Sequence, residues 1–120
     1  MRVLVVDDQE IMVDLTRRLL ARLGFKNVDH TADGSLALAM LRNGKYKLVI
    51  SDLHMDVMGG IQLLRAIRAD EQLKKLPFLL MTGSVGVPNV VLAKHAGADA
   101  YLLKPFTAEQ LKAKLAEILP

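Results

Sequence analysis

The chain has 120 residues, 52% hydrophobic and 24% charged, the size and composition of one folded domain with a substantial core, which excludes intrinsic disorder. Its 16 basic and 13 acidic residues leave a formal charge of +3, but the basic residues are spread along several predicted helices, so no nucleic-acid partner is expected. The absence of cysteine rules out disulfides, thiolate nucleophiles and thiolate metal sites.

The aliphatic run Val3 to Val6 stops at Asp7-Asp8, too early for a signal peptide, and reads as a buried strand. A helix follows from about Gln9 to Leu23. Ile11, Leu15, Leu19 and Leu23 form its apolar stripe, Arg17, Arg18 and Arg22 its solvated face, and Gly24 is a left-handed stop. Asn27 to Thr31 is a weaker strand, and Ser35 to Arg42 a second helix closed by Gly44. Leu48 to Ile50 is the next clear strand, running into Ser51-Asp52. A third helix over residues 59–69 places Ile61, Leu64 and Ile67 on one face. Phe78 to Met81 follows Pro77 and ends in Thr82-Gly83-Ser84. A fourth helix begins near Pro88, a favoured first helical position, and ends at Gly97. Ala100 to Leu103 is a last, weaker strand. Thr107 and Gln110 then stand in capping-box spacing at the head of a fifth helix that buries Leu111, Leu115 and Ile118.

Five strands alternating with five helices through short connections require right-handed crossovers, and so predict a doubly wound α/β fold with a parallel sheet covered on both faces. One domain over residues 1–120 accounts for the whole pattern, without repeat or linker. No apolar run approaches the ~18 residues of a membrane helix, so no membrane partner is expected and the expected location is the cytoplasm.

In such a sheet the functional crevice lies beyond the carboxyl ends of the strands. Asp7, Asp8, Asp52, Thr82 and Lys104 all stand there, at the ends of four strands. Three carboxylates in one crevice repel, each pair by about 1 kcal/mol at ~4 Å in water and about 4 kcal/mol at an effective dielectric near 20. A hard divalent cation with oxygen ligands, Mg²⁺ in preference to Ca²⁺, together with the Lys104 ammonium, balances that charge. Any one of these acids alone also suits a helix amino terminus, where carboxylates favour the positive end of the dipole. Only the combination points to a site.

The run Val3-Leu4-Val5-Val6-Asp7-Asp8, then Asp52, Thr82 and Lys104-Pro105-Phe106, resembles the receiver domain of bacterial two-component response regulators, of the stand-alone chemotaxis type. The resemblance covers the entire chain and implies the flavodoxin-like strand order 2-1-3-4-5. It further implies that Asp52 takes a phosphoryl group from a phosphohistidine on a sensor histidine kinase or a histidine phosphotransfer protein. Asp8 would then bind Mg²⁺ (or Mn²⁺) directly and Asp7 through water, while Asp52 and the His54 backbone carbonyl complete the protein ligands. Thr82 and Lys104 would hold the phosphoryl oxygens. Tyr101 matches the aromatic that reports the switch, and the fourth helix, fifth strand and fifth helix match the surface that binds a protein target. His54 and Ser84 stand where the family tunes the lifetime of the acyl phosphate. The Lys104-Pro105 bond is expected to be cis.

The chain departs from the family at Asp56, where a proline is usual four residues after the acceptor. His30 and His95 are expected too far from the crevice to join His54 in a zinc site. A metal-dependent hydrolase would need a substrate cap, for which these loops are too short, and the Asp-x-Asp of haloacid-dehalogenase phosphatases is absent. No turnover of an outside substrate is therefore expected. A phosphorylation-independent interaction module, or a receiver excised from a larger kinase or regulator, are the alternatives.

Overall fold

The computed structural model describes residues 1–53, 58–83 and 87–119. His54, Asp56 and Ser84, singled out above, lie outside them. The strands are β1 (Arg2–Val6), β2 (Asn27–Thr31), β3 (Tyr46–Asp52), β4 (Phe78–Thr82) and β5 (Ala100–Leu103). The helices are α1 (Glu10–Arg22), α2 (Gly34–Asn43), α3 (Gly60–Ala69), α4 (Val87–Ala96) and α5 (Ala108–Ile118). All strand pairs are parallel, in the order β2-β1-β3-β4-β5. The predicted doubly wound fold and its strand order are therefore what the chain adopts.

Successive side chains of a strand face opposite sides of the sheet, which explains the continuous aliphatic runs. Leu4, Val6, Val49, Phe78 and Leu80 pack on one side with Leu63, Leu64 and Ile67 of α3 and Ala37 and Leu41 of α2. Val3, Val5, Leu48, Ile50, Leu79 and Met81 pack on the other with Leu19 and Leu20 of α1 and Leu111 and Leu115 of α5. No described helix is long and apolar enough to cross a membrane.

Several local expectations are met. Gly24 takes φ +97° after α1 and Gly97 φ +99° after α4, values open to glycine without steric cost. Thr107 accepts from the Gln110 amide at 3.1 Å while the Gln110 side chain accepts from the Thr107 amide at 2.9 Å, a complete capping box. Helix α2 starts one residue early because the Asp33 side chain caps it, accepting from the Ser35 amide at 2.8 Å.

Two burial expectations are corrected. Ile11 is 83% exposed, and the buried face of α1 is Val13, Thr16, Leu19 and Leu20, so a stripe of spacing three and four replaces one of strict fours. Ile118 is only half-buried at the end of α5.

Arg68 at the end of α3 fastens three segments together. Its guanidinium donates to the carbonyls of Gly97 at 3.0 Å, Lys74 at 3.1 Å and Leu76 at 2.7 Å, and to Asp99 Oδ2 at 2.9 Å. The same Asp99 oxygen accepts from the Phe78 amide at 2.8 Å, tying the start of β4 to the approach to β5.

Candidate functional site

Strands β1 and β3 are neighbours in the middle of the sheet, with Val6 paired to Ser51. The next step in that register sets Asp7 beside Asp52. Strand β4 separates β3 from β5, so a residue following β5 reaches Asp52 only with a long side chain. Lys104 does so. Its Nζ lies 3.0 Å from Asp7 Oδ2 and 3.2 Å from Asp52 Oδ1, with the Lys104 side chain only 7% exposed. The Lys104 amide donates to the Thr82 carbonyl at 2.8 Å, extending the β4–β5 ladder to the crevice. The Lys104-Pro105 bond is cis, as expected.

The ligand oxygens of Asp7, Asp8 and Asp52 lie within 4.8 Å of one another. Asp7 and Asp52 are buried while Asp8 is exposed. Asp52 Oδ1 also accepts from the Leu53 amide at 2.9 Å, and Asp7 Oδ1 from the Gln9 amide at 3.0 Å. Burial pushes the Asp52 carboxyl above its ordinary range. Lys104 works against that shift and Asp7 adds to it. The two buried carboxylates share one ammonium, so the crevice is short of positive charge. That deficit and the all-oxygen donor set fit a hard divalent cation held by Asp7, Asp8 and Asp52.

Thr82 is fully buried at the end of β4, one residue beyond Met81, the β4 partner of Asp52. Tyr101 is half-buried on β5, paired with Leu80, and packs against the core on the α3 side. His30 lines a cavity of about 360 Å³ with Asp7, Asp8 and Asp14, but its ring faces Arg17 at 3.5 Å and it does not join the acid cluster.

Gln9 belongs to the site and was not anticipated. Its Oε1 accepts from Lys104 Nζ at 3.3 Å, a third acceptor for the ammonium. The available signal was its place directly after the acid pair. Gly60 also matters, because a Cβ there would fall on the Asp52 carbonyl oxygen. A glycine at the start of α3 therefore lets the helix backbone close on the end of β3.

Residues 3–116 match the response regulator receiver domain family. The chain is 43% identical over 118 residues to the chemotaxis protein CheY of Pseudomonas aeruginosa, covering 98% of this chain and 95% of that protein. Its backbone superposes on the crystal structure of Vibrio cholerae chemotaxis protein CheY4 with a TM-score of 0.90, at 33% identity and 98% coverage of each chain. The receiver domain of a Pseudomonas aeruginosa sensor histidine kinase, whose structure holds a magnesium ion in the active-site cleft, aligns with a TM-score of 0.88, at 26% identity over 98% of this chain and 95% of that one. With sequence and backbone agreeing over nearly the whole length, this chain belongs to the response regulator receiver family and is a receiver of the CheY type.

Proposed function

We propose that Asp52 is the phosphoacceptor of this receiver, taking its phosphoryl group from a phosphohistidine on a sensor histidine kinase or a histidine phosphotransfer protein. The observation that carries this reading is the Lys104 ammonium 3.2 Å from Asp52 Oδ1 and 3.0 Å from Asp7 Oδ2 at the carboxyl edge of the sheet. A carboxylate attacks phosphorus poorly unless the negative charge spreading over the phosphoryl oxygens is met by fixed positive charge. Asp52 supplies the attacking oxygen. The bond from phosphorus to the donor imidazole breaks as the bond to Asp52 forms, and the imidazole leaves with the electron pair.

Asp7, Asp8 and Asp52, with the His54 carbonyl, hold Mg²⁺ or Mn²⁺ in this reading. When bound, the ion supplies Lewis-acid charge neutralisation at the phosphoryl oxygens. Lys104 exchanges part of its contact with Asp7 and Asp52 for a phosphoryl oxygen, and the Thr82 hydroxyl donates to another. The added group carries roughly −1.5 to −2 charges, enough to draw Thr82 and Lys104 inward and to move Tyr101 on the adjoining strand. The target-binding surface is then α4, β5 and α5. His54 and Ser84, by their positions two residues after Asp52 and Thr82 in the sequence, are the residues assigned to tuning the lifetime of the acyl phosphate. The chain works as one receiver domain over residues 1–120 in the cytoplasm, turning over its own phosphoryl group and no outside substrate.

The test is incubation with acetyl phosphate and Mg²⁺, followed by intact mass of the wild type and Asp52→Ala. A single phosphoryl adduct is expected on the wild type and none on the variant. A wild type that stays unmodified overturns the assignment and favours a phosphorylation-independent module. An adduct that persists in Asp52→Ala moves the acceptor elsewhere.

A further inference from the structure

At the amino ends of the strands, opposite the acidic crevice, the fold gathers basic residues that the sequence spreads over distant segments. Two adjoining cavities, about 330 Å³ and 550 Å³, open there and share Lys47, Lys75 and Pro77. Leu41, Leu73 and Leu76 line the first, and Ile118 and Leu119 the second. Together they make one groove that sets aliphatic side chains beside Lys47 and Lys75, with Glu117 also in the lining of the second cavity.

The groove is short of counter-charge. Asp70 is already bound to Arg42 at 2.9 Å, Glu71 to Lys74 at 2.9 Å, and Glu117 to Lys114 at 3.9 Å. Lys47 and Lys75 are exposed, and among the described residues neither has a carboxylate within 4.0 Å. Exposed Lys45 adds a further cation on the turn into β3. Unpaired cations flanking apolar side chains complement a chain that presents carboxylates beside aliphatic groups. Single-stranded nucleic acid fits less well, because it needs exposed aromatic faces for base stacking. The groove's one aromatic, Tyr46, is 8% exposed and its hydroxyl donates to Asp29 at 2.6 Å.

We propose that this groove docks an acidic polypeptide segment of another protein, with aliphatic side chains on Leu76, Pro77 and Ile118 and carboxylates on Lys47 and Lys75. The surface lies at the other end of the sheet from Asp52. It is therefore present whether or not Asp52 is phosphorylated.

The experiment titrates ¹⁵N-labelled protein with an end-capped synthetic peptide in which glutamates flank two leucines. The comparison ligands are the same peptide with serine for leucine, polyuridylate, and phosphatidylserine–phosphatidylcholine vesicles. Amide shifts are expected over residues 44–47, 72–76 and 117–119, with Kd weakened about tenfold in Lys47→Glu/Lys75→Glu. The neutral pair Lys47→Gln/Lys75→Gln is expected to fall between. The proposal is overturned by silence at those amides, by unchanged affinity in the charge-reversed variant, or by equal binding of the serine peptide. Tighter binding of polyuridylate or vesicles at the same ionic strength overturns it too. Concentration-dependent shifts at the same amides without peptide would instead assign the groove to a second copy of the chain.

Discussion

Removing Asp7 is expected to stabilise the metal-free protein, although Asp7 makes the shortest ion pair in the crevice. The pair with Lys104 at 3.0 Å is worth about 5.5 kcal/mol at an effective dielectric near 20. Against it stands repulsion from Asp52, about 3.5 kcal/mol or more at separations within 4.8 Å at the same dielectric. Exposed Asp8 contributes only about 1 kcal/mol, as in water. Losing the Gln9 amide bond costs about 1 kcal/mol. These charge contributions nearly cancel, so the sign is set by the desolvation of a carboxylate whose side chain is 0% exposed, a penalty of several kcal/mol. Lys104 keeps Asp52 as its partner in the variant. Asp7→Ala is therefore expected to gain about 1–3 kcal/mol in chelator, or roughly 3–12 °C in Tm for a chain of this length. Circular dichroism melts in EDTA and again in excess Mg²⁺ are the assay. Because a ligand stabilises only the form that binds it, Mg²⁺ is expected to raise the wild-type Tm more than that of the variant. An Asp7→Ala protein that melts below wild type in EDTA refutes the claim that desolvation of the buried Asp7 carboxylate outweighs its bonds to Lys104 and Gln9.

Three other perturbations test other parts of the structure. Thr16 is fully buried on α1 and its hydroxyl has no partner among the described residues, so Thr16→Val is expected to gain about 1 kcal/mol in urea unfolding, and a loss would mean the hydroxyl is satisfied. Gly60→Ala is expected to cost about 2–3 kcal/mol, since its Cβ would meet the Asp52 backbone; near-wild-type stability by the same measurement would show that α3 can shift away. The Tyr46 hydroxyl, and after it Arg2, hold the Asp29 carboxyl below its ordinary 3.8. A depressed folded pKa adds stability above the unfolded value and loses it as pH falls through the folded one. The stability gap between wild type and Asp29→Asn should thus be level near neutrality and shrink below about pH 4, and a gap that widens on acidification would contradict it.

Strands β1 and β4 were legible because both of their faces are buried, leaving an unbroken apolar run between polar boundaries. Strand β3 is longer than its aliphatic run, since Tyr46, Lys47, Ser51 and Asp52 extend it with residues that carry polar groups although all but Lys47 are buried. The exposed position of Ile11 was hidden by Thr16, a polar residue on the buried face that made strict spacing by four look like the better stripe. The site acids were legible because each terminates a strand. The sharing of Lys104 between Asp7 and Asp52 was not, because it depends on the register of β1 against β3 and on the reach of one side chain across β4. The groove at the opposite edge is invisible in the sequence for the same reason: Lys47 and Lys75 are distant along the chain and line one groove only through the fold.

The three carbonyls that converge on Arg68 imply a particular kind of cooperativity in local opening. The turn at residues 74–76 and the one at Gly97 have no backbone ladder in common, yet one guanidinium satisfies both. Nε serves Gly97 and Nη1 serves residues 74 and 76, so the one planar guanidinium cannot follow either turn without breaking its bonds to the other. In native-state hydrogen exchange the two turns should therefore behave as a single foldon, opening at one shared free energy, which makes Arg68 the residue that sets how large a piece of this receiver breathes at once.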